Sequence, residues 1–201
     1  MLVSGDSTGV VKRWDVGSWR ETGSWKMDRN ITAVTISPEE RILVAGHSNG
    51  TIKMWDAIDG GELTTFQGHY RWVTDVAFTP DGKLMVTSSE DGLVKLWDPT
   101  THREVAVLKG HLLGVHSFGI SPDGQRLATG SNAKEAIKMW DLSTGQELLN
   151  LKGQGAQFRQ TIFSPDGNLL VSFNDQDKLH VWRAPSLTEI EAIEMADAKS
   201  N

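Results

Sequence analysis

Residues 68 to 98 read GHYRWVTDVAFTPDGKLMVTSSEDGLVKLWD, and this text recurs along the chain. The dipeptides Trp14-Asp15, Trp55-Asp56, Trp97-Asp98 and Trp140-Asp141, followed by Trp182-Arg183, stand 41, 42, 43 and 42 residues apart. The next copy opens GHLLGVHSFGISPDG at Gly110, a further one keeps SPDG at Ser164 to Gly167, and another keeps only Ser37-Pro38. A fixed period of this length marks a chain built from one supersecondary unit used several times. Within the clearest unit, short apolar alternations are separated by turn residues, the pattern of antiparallel strands. Val73 to Phe78 is the first expected strand and Lys83 to Thr87 the second, joined through Pro80-Asp81-Gly82. Proline presets φ in that turn and glycine supplies a positive φ. Glu90-Asp91-Gly92 turns the chain into a third strand, Leu93 to Trp97, and Glu104 to Leu108 forms the fourth.

Composition agrees with a folded, apolar-cored chain. The 201 residues are 38% hydrophobic with 20 glycines, eight tryptophans and a single tyrosine, a bias explained by tryptophan at a repeated position. The formal charge is −6 with no Lys/Arg cluster, which argues against nucleic acid or an anionic membrane as partner. No cysteine is present, so disulfides, thiolate metal sites and cysteine nucleophiles are excluded. The N-terminus lacks the basic start and apolar run of a signal peptide, and no stretch reaches the length of a membrane span. The expectation is a cytoplasmic protein without a cofactor.

On its repeated Gly-His and Trp-Asp marks the chain resembles the WD-repeat β-propeller family, in which each repeat of about 40 to 45 residues corresponds to one four-stranded blade. The resemblance implies an all-β, partial propeller over residues 1–183. Blade 1 is partial (1–25), followed by blade 2 (31–66), blade 3 (73–108), blade 4 (115–151) and blade 5 (158–183). Blade 1 has no text for an innermost strand, so the expectation is an open arc or a fragment of a seven-bladed ring. Its uncovered blade faces would be met by missing N-terminal blades or by self-association. Residues 184–201 form a tail. A capping box at Ser186 and Glu189, with Leu187, Ile190 and Ile193 at helical spacing, predicts a short helix. The alternative is that Leu187 to Ile193 supplies the outer strand of blade 5. The phrase WRAPSLTEIEAIE also resembles the closing segment of bacterial WD-repeat proteins, some of which carry a kinase domain upstream.

The family resemblance implies a buried network of histidine, hydroxyl, aspartate and tryptophan in each blade. Mapped onto this chain, blade 3 keeps all four as His69, Thr87, Asp91 and Trp97. Blade 4 keeps His111, Thr129 and Trp140, while the turn SNAKEA carries no aspartate. Blade 5 keeps Ser172 and Trp182, blade 1 keeps Ser4 and Trp14, and blade 2 little beyond Trp55. Lys26-Met27 and Gly153-Gln154 replace Gly-His in the other units, and Ala45 replaces the hydroxyl. A His, an Asp and a hydroxyl invite a hydrolase reading, but groups that recur at the repeat period read as architecture. The polar turn Asn174 to Asp177 lacks the glycine and distal glutamate of a calcium loop. His47, His102, His116 and His180 have no metal-ligand spacing and are expected on the surface or in the channel.

Recognition is expected on the loops entering each first strand, since loops vary without disturbing packed strands. The candidates are Tyr70, Arg71 and Trp72 in blade 3, Arg29 and Asn30 in blade 2, Leu112 and Leu113 in blade 4, Gln157 in blade 5, and Glu90 in the neighbouring turn. Tyr, Trp and Arg are the residue types enriched at interface hot spots. The reading is a non-catalytic scaffold that grips peptides or protein loops on its rim. The alternative is the regulatory portion of a larger bacterial signalling enzyme such as a Ser/Thr kinase.

Overall fold

The computed structural model of the chain describes residues 1–27, 30–131, 137–152 and 157–184. Blade 1 contains β1 (Leu2–Gly5), β2 (Val10–Asp15) and β3 (Arg20–Lys26), and blade 2 contains β4 (Ile31–Ile36), β5 (Ile42–His47), β6 (Thr51–Asp56) and β7 (Glu62–Gln67). Blade 3 follows with β8 (Val73–Phe78), β9 (Met85–Ser89), β10 (Val94–Asp98) and β11 (Arg103–Leu108). Blade 4 has β12 (Ser117–Ile120), β13 (Arg126–Gly130), β14 (Ile137–Asp141) and β15 (Glu147–Leu151), and blade 5 has β16 (Phe158–Phe163), β17 (Leu169–Asn174) and β18 (Leu179–Arg183). Every sheet is an antiparallel meander in chain order, four-stranded in blades 2 to 4 and three-stranded in blades 1 and 5 among the described residues. The architecture is a partial β-propeller.

Local chemistry explains the strand ends. In the turns after the first strands of blades 3, 4 and 5 the side chain of Thr79, Ser121 or Ser164 donates to the carboxylate two residues on, at 2.7, 2.5 and 2.5 Å. That carboxylate in turn accepts the backbone N–H of Lys83, Gln125 or Asn168. Gly82 closes its turn at φ +71°, a conformation a side chain disfavours. The aspartate after each tryptophan has a related duty. Asp56, Asp98 and Asp141 accept backbone N–H groups from Ile58, Thr100 and Ser143 at 2.7, 2.8 and 2.9 Å, folding the turn that leads to the outer strand. Hydrogen bonds hold these carboxyls below the ordinary range, led by the Ile58 and Thr100 N–H groups for Asp56 and Asp98 and by the Ser143 hydroxyl for Asp141.

Packing departs from half-buried strands. β9 is buried along its whole length, and in β5 Leu43, Val44 and Ala45 are all fully buried, because neighbouring blades cover both faces of a sheet. Alternate residues then serve two different interfaces. Leu43, Ala45 and Trp55 pack with Val11 and Trp25 of blade 1, whereas Val44, Ile52 and Met54 pack with Val73, Val76, Phe78, Met85 and Trp97 of blade 3. The same alternation joins blade 3 to blade 4 and blade 4 to blade 5. Among the described residues each core cluster joins consecutive blades and none joins blade 5 to blade 1, so these blades form an arc.

The second strand of blade 3, expected at Lys83 to Thr87, runs Met85–Ser89. The first strand of blade 4 begins at Ser117 instead of Val115, because the Val115 N–H is bound to the Ser89 carbonyl of blade 3 at 2.9 Å. The expected tail helix, and the alternative outer strand, fall on residues outside the described ones.

Candidate functional site

Blade 3 assembles its four polar residues into one chain of hydrogen bonds. Trp97 Nε1 donates to Thr87 Oγ1 at 2.9 Å, Thr87 Oγ1 lies 2.8 Å from His69 Nε2, and His69 Nδ1 lies 3.0 Å from Asp91 Oδ2. A threonine hydroxyl has one proton, so with a neutral imidazole it donates to Nε2 and Nδ1–H donates to Asp91. Asp91 also accepts the N–H groups of Tyr70 and Leu93, each at 3.0 Å. Burial pushes its carboxyl up, but these hydrogen bonds and the imidazole outweigh it and hold the group at about 2. The stability it contributes is present above the ordinary aspartate range and is lost as pH falls toward 2. Thr87, His69 and Asp91 thus have the order of a catalytic triad, yet Thr87 is fully buried and His69 nearly so. No substrate reaches that hydroxyl while blades 2 and 3 are packed.

The other blades hold parts of this arrangement. In blade 4, Thr129 Oγ1 lies 2.7 Å from His111 Nε2 and accepts Trp140 Nε1–H at 2.8 Å. His111 Nδ1 is buried with no hydrogen-bond partner among the described residues, and burial followed by the Lys138 charge lowers the imidazole to about 4. Stability is therefore lost as pH falls from 6.5 through 4, where the ring must take up a proton. In blade 1, Trp14 Nε1 donates to Ser4 Oγ at 2.9 Å. In blade 5 the Ser172 hydroxyl donates to the Gln160 carbonyl at 2.6 Å, and Trp182 instead stacks on His180, centroids 5.5 Å apart. In blade 2, Met27, His47 and Asn49 line a polar hollow of about 240 Å3, and Trp55 is buried.

The rim candidates divide by position. Tyr70 is 86% exposed, Trp72 58%, Leu112 84% and Leu113 54%, a concentration of apolar and aromatic surface at the entry loops of blades 3 and 4. Arg71, Trp72 and Glu90 line one hollow of about 350 Å3. Trp72 and Gln157 share a second, of about 320 Å3, with Thr32, Val73, Thr74, His116 and Arg159. Trp72 therefore contributes to both. Glu90 Oε1 lies 3.2 Å from His116 Nδ1, which ties the two hollows by an ion pair when the ring is protonated. Asn30 is exposed at φ 70°, a left-handed conformation asparagine tolerates. The Gln157 N–H donates to Asp175 Oδ1 at 3.0 Å and its carbonyl accepts the Asp175 N–H at 2.9 Å, and Arg29 lies outside the described residues.

Thr32, Thr74 and Arg159 are not among the candidates read from the sequence. With His116 they stand at one repeated place, the second residue of each entry into the inner strands. Pairing skips Thr32, Thr74 and Arg159 as β-bulges, which re-aim a side chain out of the alternation. Their period was legible, but only the bulge brings them to the hollow. Two of them also stitch blades together: Thr32 Oγ1 donates to the Val73 carbonyl at 2.5 Å, and Thr74 Oγ1 to that of Val115 at 2.6 Å.

Three segments, 21–56, 60–98 and 102–141, match the family described as WD domain, G-beta repeat, and together they cover more than half of the chain. The chain belongs to the WD40 repeat family. Each matched WD40 segment begins near the outer strand of one blade and ends at the Trp-Asp of the next. Consecutive repeats are therefore interlocked, since the covalent unit straddles the blade boundary. WD40 repeats generally mediate protein–protein interaction and are typically non-catalytic. No curated protein matches the chain.

Proposed function

We propose that the protein is a non-catalytic scaffold that binds a peptide or a loop of another protein on the rim of blades 3 and 4. The observation that carries this reading is Trp72, more than half exposed on a first-strand entry where its own carbonyl accepts the Glu90 N–H at 3.0 Å, and forming a wall of both hollows. A large amphipathic ring held in that way supplies contact area at low entropic cost. Tyr70, Leu112 and Leu113 extend the apolar surface, and Arg71, Glu90 and Arg159 provide charged groups of both signs for orientation. The apolar faces at the two ends of the arc belong to a different category. They repeat the positions that pack blade on blade, and we read them as surfaces that further blades or a second copy cover.

Selection of binding peptides from a random displayed library tests the reading. The expected result is peptides whose affinity falls about 30-fold or more in Trp72→Ala, as for a hot-spot residue, with an unchanged circular dichroism spectrum. Peptides indifferent to Trp72→Ala and Tyr70→Ala, or marked thermal stabilisation by a nucleotide, would overturn it.

A further inference from the structure

Eight residues before its tryptophan, blade 2 carries His47 where blades 1, 3 and 5 carry Asp6, Ser89 and Asn174. Each of those three accepts the backbone N–H two residues on through a side-chain oxygen, at 2.8, 3.0 and 3.0 Å. His47 does the same with a nitrogen, Nδ1, which accepts the Asn49 N–H at 3.0 Å. That bond fixes the neutral tautomer, because the nitrogen that accepts carries no proton and Nε2 holds it. The turn uses Nδ1 only. Nε2–H is a surplus donor, in a residue 8% exposed and with no acceptor among the described residues. A buried donor left without a partner costs free energy that an arriving acceptor recovers.

The imidazole is one wall of the hollow of about 240 Å3 at the junction of blades 1 and 2. Met27, standing where blade 3 has the network histidine, also lines it and has no side-chain oxygen to offer Nε2–H. Lys26 and Lys53 are its charged lining. Lys53 Nζ is already bound by Glu62 at 2.7 Å, whereas Lys26, exposed at the end of β3, has no ion pair among the described residues. One uncompensated positive charge and one surplus neutral donor therefore line the same space. We infer that this hollow binds the carboxylate of a small organic acid, which accepts from His47 Nε2–H, sets its charge against Lys26 and lays a short aliphatic part along Met27. A dianion such as hydrogen phosphate would find a single free countercharge, because Glu62 holds the other lysine. The site shares no residue with the two hollows of Trp72.

Titration of the isotope-labelled full chain with butyrate at constant ionic strength, followed by its imidazole and backbone amide resonances, tests the assignment. Before ligand is added, His47 should show a protonated Nε2 and a bare Nδ1. Its signals should then shift saturably, with a Kd of about 1 to 10 mM for so small a ligand. Inorganic phosphate should bind weaker by about tenfold or more. His47→Ser installs the serine of blade 3, which keeps an acceptor for the Asn49 N–H and deletes Nε2. Amide shifts around the hollow should report a butyrate affinity lower by about tenfold or more in that variant. Lys26→Gln, a change at an exposed position, should weaken binding by about fivefold or more. Trp72→Ala should leave it unchanged, so failure at this site and failure of the rim reading are separable. A hollow that holds only water predicts no saturable shift up to about 50 mM butyrate, and that result would overturn the assignment. So would unchanged affinity in His47→Ser or Lys26→Gln, or phosphate binding as tightly as butyrate.

Discussion

Asp75 sits in β8, the inner strand of blade 3, and its carboxylate accepts the N–H groups of Val76 and Phe118. Phe118 belongs to β12, so one side chain bridges the inner strands of two blades. Burial pushes its carboxyl up to about 6 despite those hydrogen bonds. A group whose pKa is raised by folding stabilises fully below its unfolded value, and that contribution is lost as pH rises through about 6. Asp75→Asn keeps an acceptor of the same shape without the charge. Urea denaturation should show the variant gaining on the natural chain by on the order of 2 to 3 kcal/mol between pH 3 and pH 7. A difference that stays constant across that range would mean that Asp75 is not desolvated. Nothing in the residue's local sequence signals this, because Thr-Asp-Val-Ala reads as an ordinary strand. Desolvation is contributed by the neighbouring blade.

At the scale of the element, the arc depends on close approach between inner strands. Gly119 in β12 illustrates the constraint: a Cβ there would lie 2.5 Å from the carbonyl oxygen of Thr161 in β16. Backbone cannot rotate aside, so Gly119→Ala must separate the inner strands of blades 4 and 5. The expected loss is about 1 to 3 kcal/mol, in the range of overpacked cores. Gly17→Ala, whose added carbon would meet only the Asp15 carboxylate at 3.7 Å, should be near neutral in the same measurement. Strand existence was legible in the period and in the Thr-Pro-Asp-Gly and Glu-Asp-Gly turns, and β8 spans Val73 to Phe78 as its alternation predicts. Blade 4 shows the limit of that reading, since Val115 satisfies its backbone on blade 3 and the strand starts two residues late.

For the whole molecule, the two ends of the arc carry what the interior interfaces conceal. On the outward face of blade 5, Ile162 is 51% exposed, Leu179 64% and Val181 56%, and Val171 lies between Ile162 and Val181 in register. The matching positions of blade 2, among them Val44, Ile52 and Met54, are fully buried against blade 3. Blade 1 presents Leu2, Ser4 and Trp14, the positions that Met85, Thr87 and Trp97 occupy in that buried interface. Apolar surface of this extent favours association. Sedimentation should show the chain associating as concentration rises, and Ile162→Lys with Val181→Lys should return it to monomer. A natural chain that sediments as a monomer at all concentrations would show that these faces do not meet each other.

Spacing alone determined the repeat and the all-β class, whereas the polar network of blade 3 and the recognition loops were read through the resemblance to WD-repeat proteins. The repeat and the class follow from local rules: turn chemistry, the two-residue alternation of strands and a tryptophan every 41 to 43 residues. Only the tertiary structure decided that Trp72 serves two hollows, that Thr32, Thr74 and Arg159 are turned out of their strands toward one of them, and that Ser172 turns to Gln160 instead of Trp182. The reason is physical. A period reports which residues are equivalent, whereas a bulge, a hydroxyl's choice of acceptor and the burial of a carboxylate depend on the blade packed alongside.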